Sequence, residues 1–160
     1  MTAGVRRGDP SGLCDSLRQS PLLAVLRPSS TAQAQRQIDA VAQAGFHHVE
    51  LAWTDESWWL QLLQTLPNRW PELRFGVAGV RCAEQLVVAH DQGLRFAMSP
   101  ISCPVMWEQA DALGLTLVPG VFSPSEVHRS GCRGAVKLFP AASLGPAYWR
   151  QLRGPMAPLP

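Results

Sequence analysis

Six short apolar runs recur along the chain, beginning 20 to 26 residues apart, with amphipathic segments between them. Such runs are typical of parallel strands that are buried on both faces and joined by helical crossovers. The predicted strands are residues 22–26, 48–52, 73–77, 94–98, 115–118 and 135–139.

The intervening segments carry helix boundary motifs. Gly45, Gly93 and Gly114 each follow an apolar stripe, in the position of a C-terminal cap. The Ser-Pro-Ser-Glu segment at 123–126 is a capping box with proline at the first helical position, which predicts a helix start. A further short helix is predicted at residues 13–19, before the first strand.

Regular alternation of strands and helices leaves two architectures, a (β/α)8 barrel or an open doubly wound sheet. The open sheet usually has a glycine-rich phosphate loop after its first strand, whereas this chain has Arg-Pro-Ser-Ser at 27–30. We therefore predict an α/β fold of the TIM (β/α)8-barrel type, incomplete with about six βα units. Residues 1–160 are expected to form this single domain, with residues 1–12 as a disordered N-terminal tail.

Composition narrows the function classes. The 160 residues are 46% hydrophobic and 16% charged, and neither an apolar run long enough for a membrane helix nor a signal-peptide pattern is present, so a cytoplasmic protein without membrane contact is expected. The net charge of +2 is spread along the chain, which argues against nucleic acid as a partner. The four cysteines form no CxxC pair, so neither a metal site nor a disulfide framework is expected.

Thirteen of the fourteen basic residues are arginine, and the single lysine, Lys137, lies in an apolar strand. Alternation places Lys137 on one face of the sixth strand and Glu50 on one face of the second. If both faces point inward, the amine and the carboxylate share one pocket at the carboxyl ends of the strands, where barrel active sites lie.

This pairing has a chemical use. Burial lowers the pKa of an amine, which then attacks a ketone and forms an iminium, while a nearby carboxylate moves protons. The residues alone leave an alternative equally open, since Lys137 and Glu50 could form a buried ion pair without catalytic use.

A series of sequence motifs decides between the catalytic pair and the non-catalytic ion pair. They are Leu-Ala-Val-Leu-Arg at 23–27, Ala-Gly-Phe at 44–46, Val-Glu-Leu at 49–51, Phe-Ala-Met-Ser-Pro at 96–100, Val-Pro-Gly-Val at 118–121, Ser-Pro-Ser-Glu at 123–126 and Val-Lys-Leu-Phe-Pro-Ala at 136–141. With these motifs the chain resembles the bacterial 2-keto-3-deoxy-6-phosphogluconate and 2-keto-3-deoxy-6-phosphogalactonate aldolases, which are class I pyruvate aldolases, over about residues 22–152.

The resemblance implies that Lys137 forms a Schiff base with a pyruvate-type 2-keto acid and that Glu50 shuttles protons. It implies no metal and no cofactor beyond that covalent link, and a homotrimer as the assembly. Arg27 is the expected partner of the substrate carboxylate. The remaining expected substrate-binding positions are Ser99, Pro100, Pro119, Phe139 and Gly79.

The chain departs from the family at several points. Gly79 stands where the family has the threonine that touches the keto acid, and Thr54 stands where some members have an arginine. The segments that hold the substrate phosphate, after the seventh and eighth strands, have no counterpart here. The chain therefore reads as truncated after the sixth βα unit.

Three functions remain as hypotheses. The first is a Schiff-base aldolase that cleaves a 2-keto-3-deoxy-(6-phospho) sugar acid to pyruvate and an aldehyde. The second is a non-catalytic remnant that serves as an oligomerising domain. The third is a related Schiff-base lyase such as an oxaloacetate decarboxylase, which needs no phosphate site.

Overall fold

The computed structural model describes residues 12–130 and 134–156. Its helices are α1 (Leu13–Gln19), α2 (Thr31–Gln43), α3 (Ser57–Arg69), α4 (Ala83–Asp91), α5 (Pro104–Leu113), α6 (Pro124–Ser130) and α7 (Gly145–Met156). Its strands are β1 (Leu23–Leu26), β2 (His48–Ala52), β3 (Arg74–Ala78), β4 (Phe96–Met98), β5 (Thr116–Val118), β6 (Gly120–Val121) and β7 (Lys137–Leu138).

The strands follow one another in chain order, and all their pairings are parallel. Strands β1 to β5 form one sheet, and β6 and β7 form a second pair. Pro119 alone separates β5 from β6, and its carbonyl accepts the Lys137 N–H at 3.0 Å. The succession of parallel strands therefore continues through β7, which confirms the predicted incomplete barrel.

The last predicted strand is shorter than its apolar run. Strand β7 contains two residues instead of the five predicted at 135–139, because its partner β6 offers only Gly120 and Val121 for pairing. Within residues 12–130 and 134–156, β1 and β7 each pair on one side only. Val25 of β1 is 42% exposed.

One face of the sheet packs against the helices. Val49 and Leu51 of β2 and Val77 of β3 belong to a buried cluster that includes Ile38 of α2 and Leu63 of α3. Since side chains alternate along a strand, the residues at 48, 50 and 52 project from the opposite face, toward the inside of the barrel.

A second buried cluster fills that inner face. Phe96 and Met98 of β4 and Val118 of β5 pack with Leu13 of α1, and Leu17 of α1 adds to them. Helix α1 therefore closes the end of the barrel at which the strands begin, and leaves the opposite end to the βα loops.

The predicted helix boundaries are present. Gly45, Gly93 and Gly114 have φ angles of 79°, 74° and 65°, the left-handed conformation of a helix stop. The Glu126 carboxylate accepts the Ser123 N–H at 2.8 Å, and the Ser123 hydroxyl accepts the Glu126 N–H at 3.3 Å. This reciprocal pair confirms the capping box at the start of α6.

Two further expectations concern the termini and membranes. Residues 1–11 of the predicted tail lie outside the described residues, while Gly12 accepts the Ser16 N–H at 3.1 Å as the N-cap of α1. In the part of the chain that the structure describes, no helix is long and apolar enough to cross a membrane.

Gly76 of β3 tests the packing of the inner face. A β-carbon at this position would overlap the ring of the buried Phe96, so Gly76→Ala is expected to lower the free energy of unfolding by about 1–3 kcal/mol. Urea denaturation measures the change. Gly154→Ala is the control, because Gly154 faces open space, and it should change stability by less than about 1 kcal/mol. Equal effects of the two substitutions would contradict the packing described.

Candidate active site

Lys137 begins β7 on the inner side of the barrel. Its neighbours Val136 and Leu138 pack against a buried cluster that includes Val127 of α6 and Leu152 of α7. Since side chains alternate along a strand, Lys137 points inward. The ammonium nitrogen lies 5.4 Å from the centre of the Phe139 ring, within the range of a cation–π contact. The pKa of Lys137 is lowered chiefly by burial and further by the charge of Arg27, against the opposing effect of Glu50.

Glu50 lies in the middle of β2 and is only 5% exposed. Its strand neighbours are Val25 on one side and Gly76 on the other. Burial raises the pKa of this carboxyl, while the positive charges of Lys137 and Arg27 act in the opposite direction. Glu50 and Lys137 both project inward, as alternation along their strands predicted, and lie within electrostatic reach of each other.

The pKa shifts of Lys137 and Glu50 have the same consequence for charge. Burial favours the neutral form of both, a free amine on Lys137 and a protonated carboxyl on Glu50. An amine and a carboxyl shifted in these directions suit attack on a ketone followed by loss of water, which needs a nucleophile and a proton donor.

Arg27 directly follows β1 and has an exposed side chain. Leu23 and Val25 stand in register with His48 and Glu50, so the alternation of β1 puts Arg27 on the inner side, beyond Glu50. The charge of Arg27 acts on both Glu50 and Lys137. A guanidinium in this position suits a substrate carboxylate.

The other predicted pocket residues lie in the turns that follow the strands. Ser99 is fully buried, donates its N–H to Val118 at 3.0 Å and accepts the Ile101 N–H on its hydroxyl at 3.1 Å. The Pro100 carbonyl oxygen lies 2.5 Å from where a β-carbon on Gly120 would stand. Glycine at 120 therefore permits the close approach of the Ser99–Pro100 turn to the Pro119 turn.

Phe139 and Gly79 complete the predicted set. Phe139 is 47% exposed and donates its N–H to Val121 at 3.0 Å, which fixes the chain just beyond Lys137. Gly79 is exposed, has a φ of 81° and donates its N–H to Met98 at 2.9 Å. The peptide N–H of Gly79 is thus engaged by the sheet, and no side chain is available there to contact a keto acid.

His48 begins β2 and occupies the opposite end of the inner face. Its ring is fully buried, with Nε2 2.8 Å from the Ser16 hydroxyl and Nδ1 3.3 Å from the Leu22 carbonyl. The hydrogen bond between Ser16 and His48 holds α1 against the sheet. No motif marks it, because Ser16 and His48 lie 32 residues apart.

The His48 contact predicts a pH dependence of stability. Burial lowers the pKa of His48 below its ordinary value of 6.5, so the unfolded chain binds the proton more readily. The contribution of His48 is therefore complete above pH 6.5 and is lost as the pH falls from there through the folded-state pKa. Urea denaturation from pH 8 to pH 5 should show this loss, and His48→Gln should reduce it. His128→Gln, at an exposed position of α6, should leave it unchanged.

The same fold occurs in known proteins. A family model described as "KDPG and KHG aldolase" matches residues 13–159. The chain belongs to this aldolase family. It is 28% identical over 131 residues to a protein of Rhizobium meliloti named as a probable 2-dehydro-3-deoxy-6-phosphogalactonate aldolase, an alignment that covers 81% of this chain.

Two solved structures are also similar to this chain. A structure of native KDPGal has a TM-score of 0.74 and 27% identity, and the match covers 82% of this chain and 65% of that one. A KDPG aldolase from Legionella pneumophila, with pyruvate captured as a covalent carbinolamine, has a TM-score of 0.79. Its 24% identity, with 94% of this chain and 72% of that one covered, shows the shared fold.

The chain is shorter than the family members that it matches. It spans 62% of the length of the Rhizobium meliloti relative. Within residues 12–130 and 134–156, no group of three or more histidine, cysteine, aspartate and glutamate side chains could hold a metal ion.

Proposed function

We propose that the chain acts as a class I aldolase, an aldehyde-lyase that cleaves a 2-keto-3-deoxy-(6-phospho) sugar acid to pyruvate and an aldehyde. The observation that carries the proposal is the placement of the only lysine of the chain beside Glu50, with burial favouring the neutral form of each. Family membership supports the same reaction class.

The proposed cleavage begins with covalent capture. The Lys137 amine attacks the C2 carbonyl of the keto acid and forms a C–N bond, giving a carbinolamine. Glu50 donates its proton to the departing hydroxyl, water leaves, and a protonated imine remains. This covalent imine is the electron sink, so no external cofactor is needed.

The carbon–carbon bond breaks in the next step. Glu50, now a carboxylate, takes the proton of the C4 hydroxyl, the C3–C4 electron pair moves into the imine, and the aldehyde leaves. Glu50 returns the proton to C3 of the enamine, water then releases pyruvate and the free lysine, and Glu50 takes up the proton that this hydrolysis sets free. The protons and electrons balance without any added oxidant or reductant.

Binding of the keto acid is assigned to the strand-end residues. Arg27 holds the carboxylate, and the chain offers neither a threonine at position 79 nor an arginine at position 54 to share that contact. The pocket walls are formed by Ser99, Pro100, Pro119 and Phe139.

The proposal also includes a cytoplasmic location and a homotrimeric assembly. The assembly is proposed because the members of the family that the chain resembles are commonly homotrimers.

Turnover separates this proposal from its alternatives. Pyruvate release is measured with a coupled dehydrogenase on 2-keto-3-deoxy-6-phosphogluconate, its galactonate isomer, the unphosphorylated sugar acids and oxaloacetate. Release from a sugar acid supports the aldolase. Release from oxaloacetate alone would assign a decarboxylase, and a folded protein inactive on all of them would contradict the proposal.

A further inference from the structure

A cleft lies on the outer wall of the barrel, at the end where the strands begin and opposite the βα loops. Helices α3, α4 and α5 end beside it, strands β3, β4 and β5 begin beside it, and its volume is about 640 Å³. Sites for small organic ligands have volumes of roughly 300–1,000 Å³. We propose that this α3–α5 cleft binds a small organic anion with a flat apolar body, such as an aromatic carboxylate.

The floor of the α3–α5 cleft is apolar. Its residues belong to the buried cluster between the sheet and the helices, and none of them is more than 7% exposed. Because packing already holds these side chains, a ligand that rests on them pays little entropy to order them. The floor residues are Leu66, Trp70, Leu73, Phe75, Leu94 and Leu115.

Trp70 gives this floor a flat component with a fixed orientation. Its indole N–H donates to the Asp39 carboxylate at 2.8 Å, and the Arg69 guanidinium lies 4.5 Å from the centre of its ring. The Phe75 ring meets it edge-on, with 6.3 Å between the ring centres. Aromatic rings pack well on one another in offset or edge-to-face geometries, so a flat aromatic body suits this surface.

The charged residues that line the α3–α5 cleft are basic. They are His90 and Arg95, and no aspartate or glutamate is among the described residues that line it. His90 lies 3.2 Å from Asp91, whose carboxylate offsets the charge of a protonated ring. Arg95 is exposed and forms no ion pair within residues 12–130 and 134–156. Its guanidinium is therefore available to a carboxylate, which it can bind through two parallel hydrogen bonds.

The floor and the charged rim together select the ligand class. A small polar anion such as inorganic phosphate would pair with Arg95 but would leave the apolar floor in contact with water. A neutral hydrocarbon would cover the floor and leave the guanidinium without a partner. An aromatic carboxylate uses both surfaces, because its ring covers the floor while its charge reaches the rim.

Three matched probes test this assignment by nuclear magnetic resonance. The indole N–H signal of Trp70 and the amide signals of Gly93 and Gly114, all at the cleft, are followed in 15N-labelled protein. The probes are 1-naphthylacetate, its neutral amide and 1-naphthylmethylammonium. The carboxylate is expected to shift these signals and to bind about three- to fivefold more tightly than the amide, the effect of one exposed ion pair. The ammonium probe should bind most weakly.

Two variants test the charge of the rim. Arg95→Gln should bind the carboxylate and the amide with equal affinity. Gln92→Glu places a carboxylate on the half-buried rim residue Gln92, so it should weaken binding of 1-naphthylacetate and strengthen binding of the ammonium probe. Arg36→Gln is the control, because Arg36 is exposed on α2 and does not line the cleft.

A third variant separates this cleft from the candidate active site. Arg27→Gln removes the expected carboxylate partner at the other end of the barrel, so it should bind 1-naphthylacetate as the wild type does. Loss of binding in Arg27→Gln but not in Arg95→Gln would overturn the proposal. Equal affinity for all three probes would also overturn it, as would a folded protein whose cleft signals 1-naphthylacetate does not shift.

Discussion

Lys137→Arg is expected to abolish release of pyruvate from every 2-keto acid substrate. Arginine keeps the positive charge and much of the side-chain volume, but its guanidinium remains protonated and cannot attack a carbonyl. Because Lys137 is the only lysine, the variant removes every ε-amine from the chain. Pyruvate release in the coupled assay should fall to the detection limit while circular dichroism stays unchanged.

A matched variant separates the position from the amine. In the double variant Lys137→Arg with Arg153→Lys, the chain again has one lysine, now at an exposed position of α7. An exposed amine stays largely protonated at neutral pH, so this protein should remain inactive. Activity in either variant would show that the Lys137 pocket is not the source of catalysis.

Glu50→Gln is expected to lower turnover by roughly 10²–10⁴-fold, the range for loss of a general acid–base group. The amide preserves shape but neither donates a proton at the carbinolamine nor accepts one at the C4 hydroxyl. The measurement is kcat on the best sugar acid substrate. Glu56→Gln, at an exposed carboxylate before α3, should keep wild-type turnover.

Glu50→Gln is expected to stabilise the folded protein at high pH although it lowers turnover. Folding raises the pKa of Glu50 above its ordinary value of 4.5, so the buried carboxyl stabilises the fold only below that value and opposes it as the pH rises through the folded pKa. Glu50→Gln should therefore be more stable than the wild type at pH 8, with a smaller difference at pH 4. A variant that is both inactive and less stable at pH 8 would indicate a structural role for Glu50.

Much of the fold could be predicted because its strands are buried on both faces. Each parallel strand appears in the sequence as an apolar run, and the predicted run at 48–52 coincides with β2. The meeting of Glu50 and Lys137 was predictable for the same reason. A period of two fixes which residues share a face, and only the choice of inner face remained open.

Other features depend on contacts between distant residues. Strand β6 was not predicted, because the apolar run at 115–118 ends before Pro119, whose ring has no N–H for the ladder. The closure by α1 depends on His48 meeting Ser16, which lies 32 residues away along the chain. No local pattern encodes these distances.

The central claim is that Lys137 forms a covalent imine with a 2-keto acid. It is tested most directly by incubating the protein with pyruvate and borohydride, then locating the reduced adduct by peptide mass spectrometry. We predict one pyruvate-derived adduct per chain, on Lys137, absent without borohydride and formed more slowly in Glu50→Gln. A folded protein that gains no adduct, or gains it at the N-terminal amine instead of Lys137, would contradict the account.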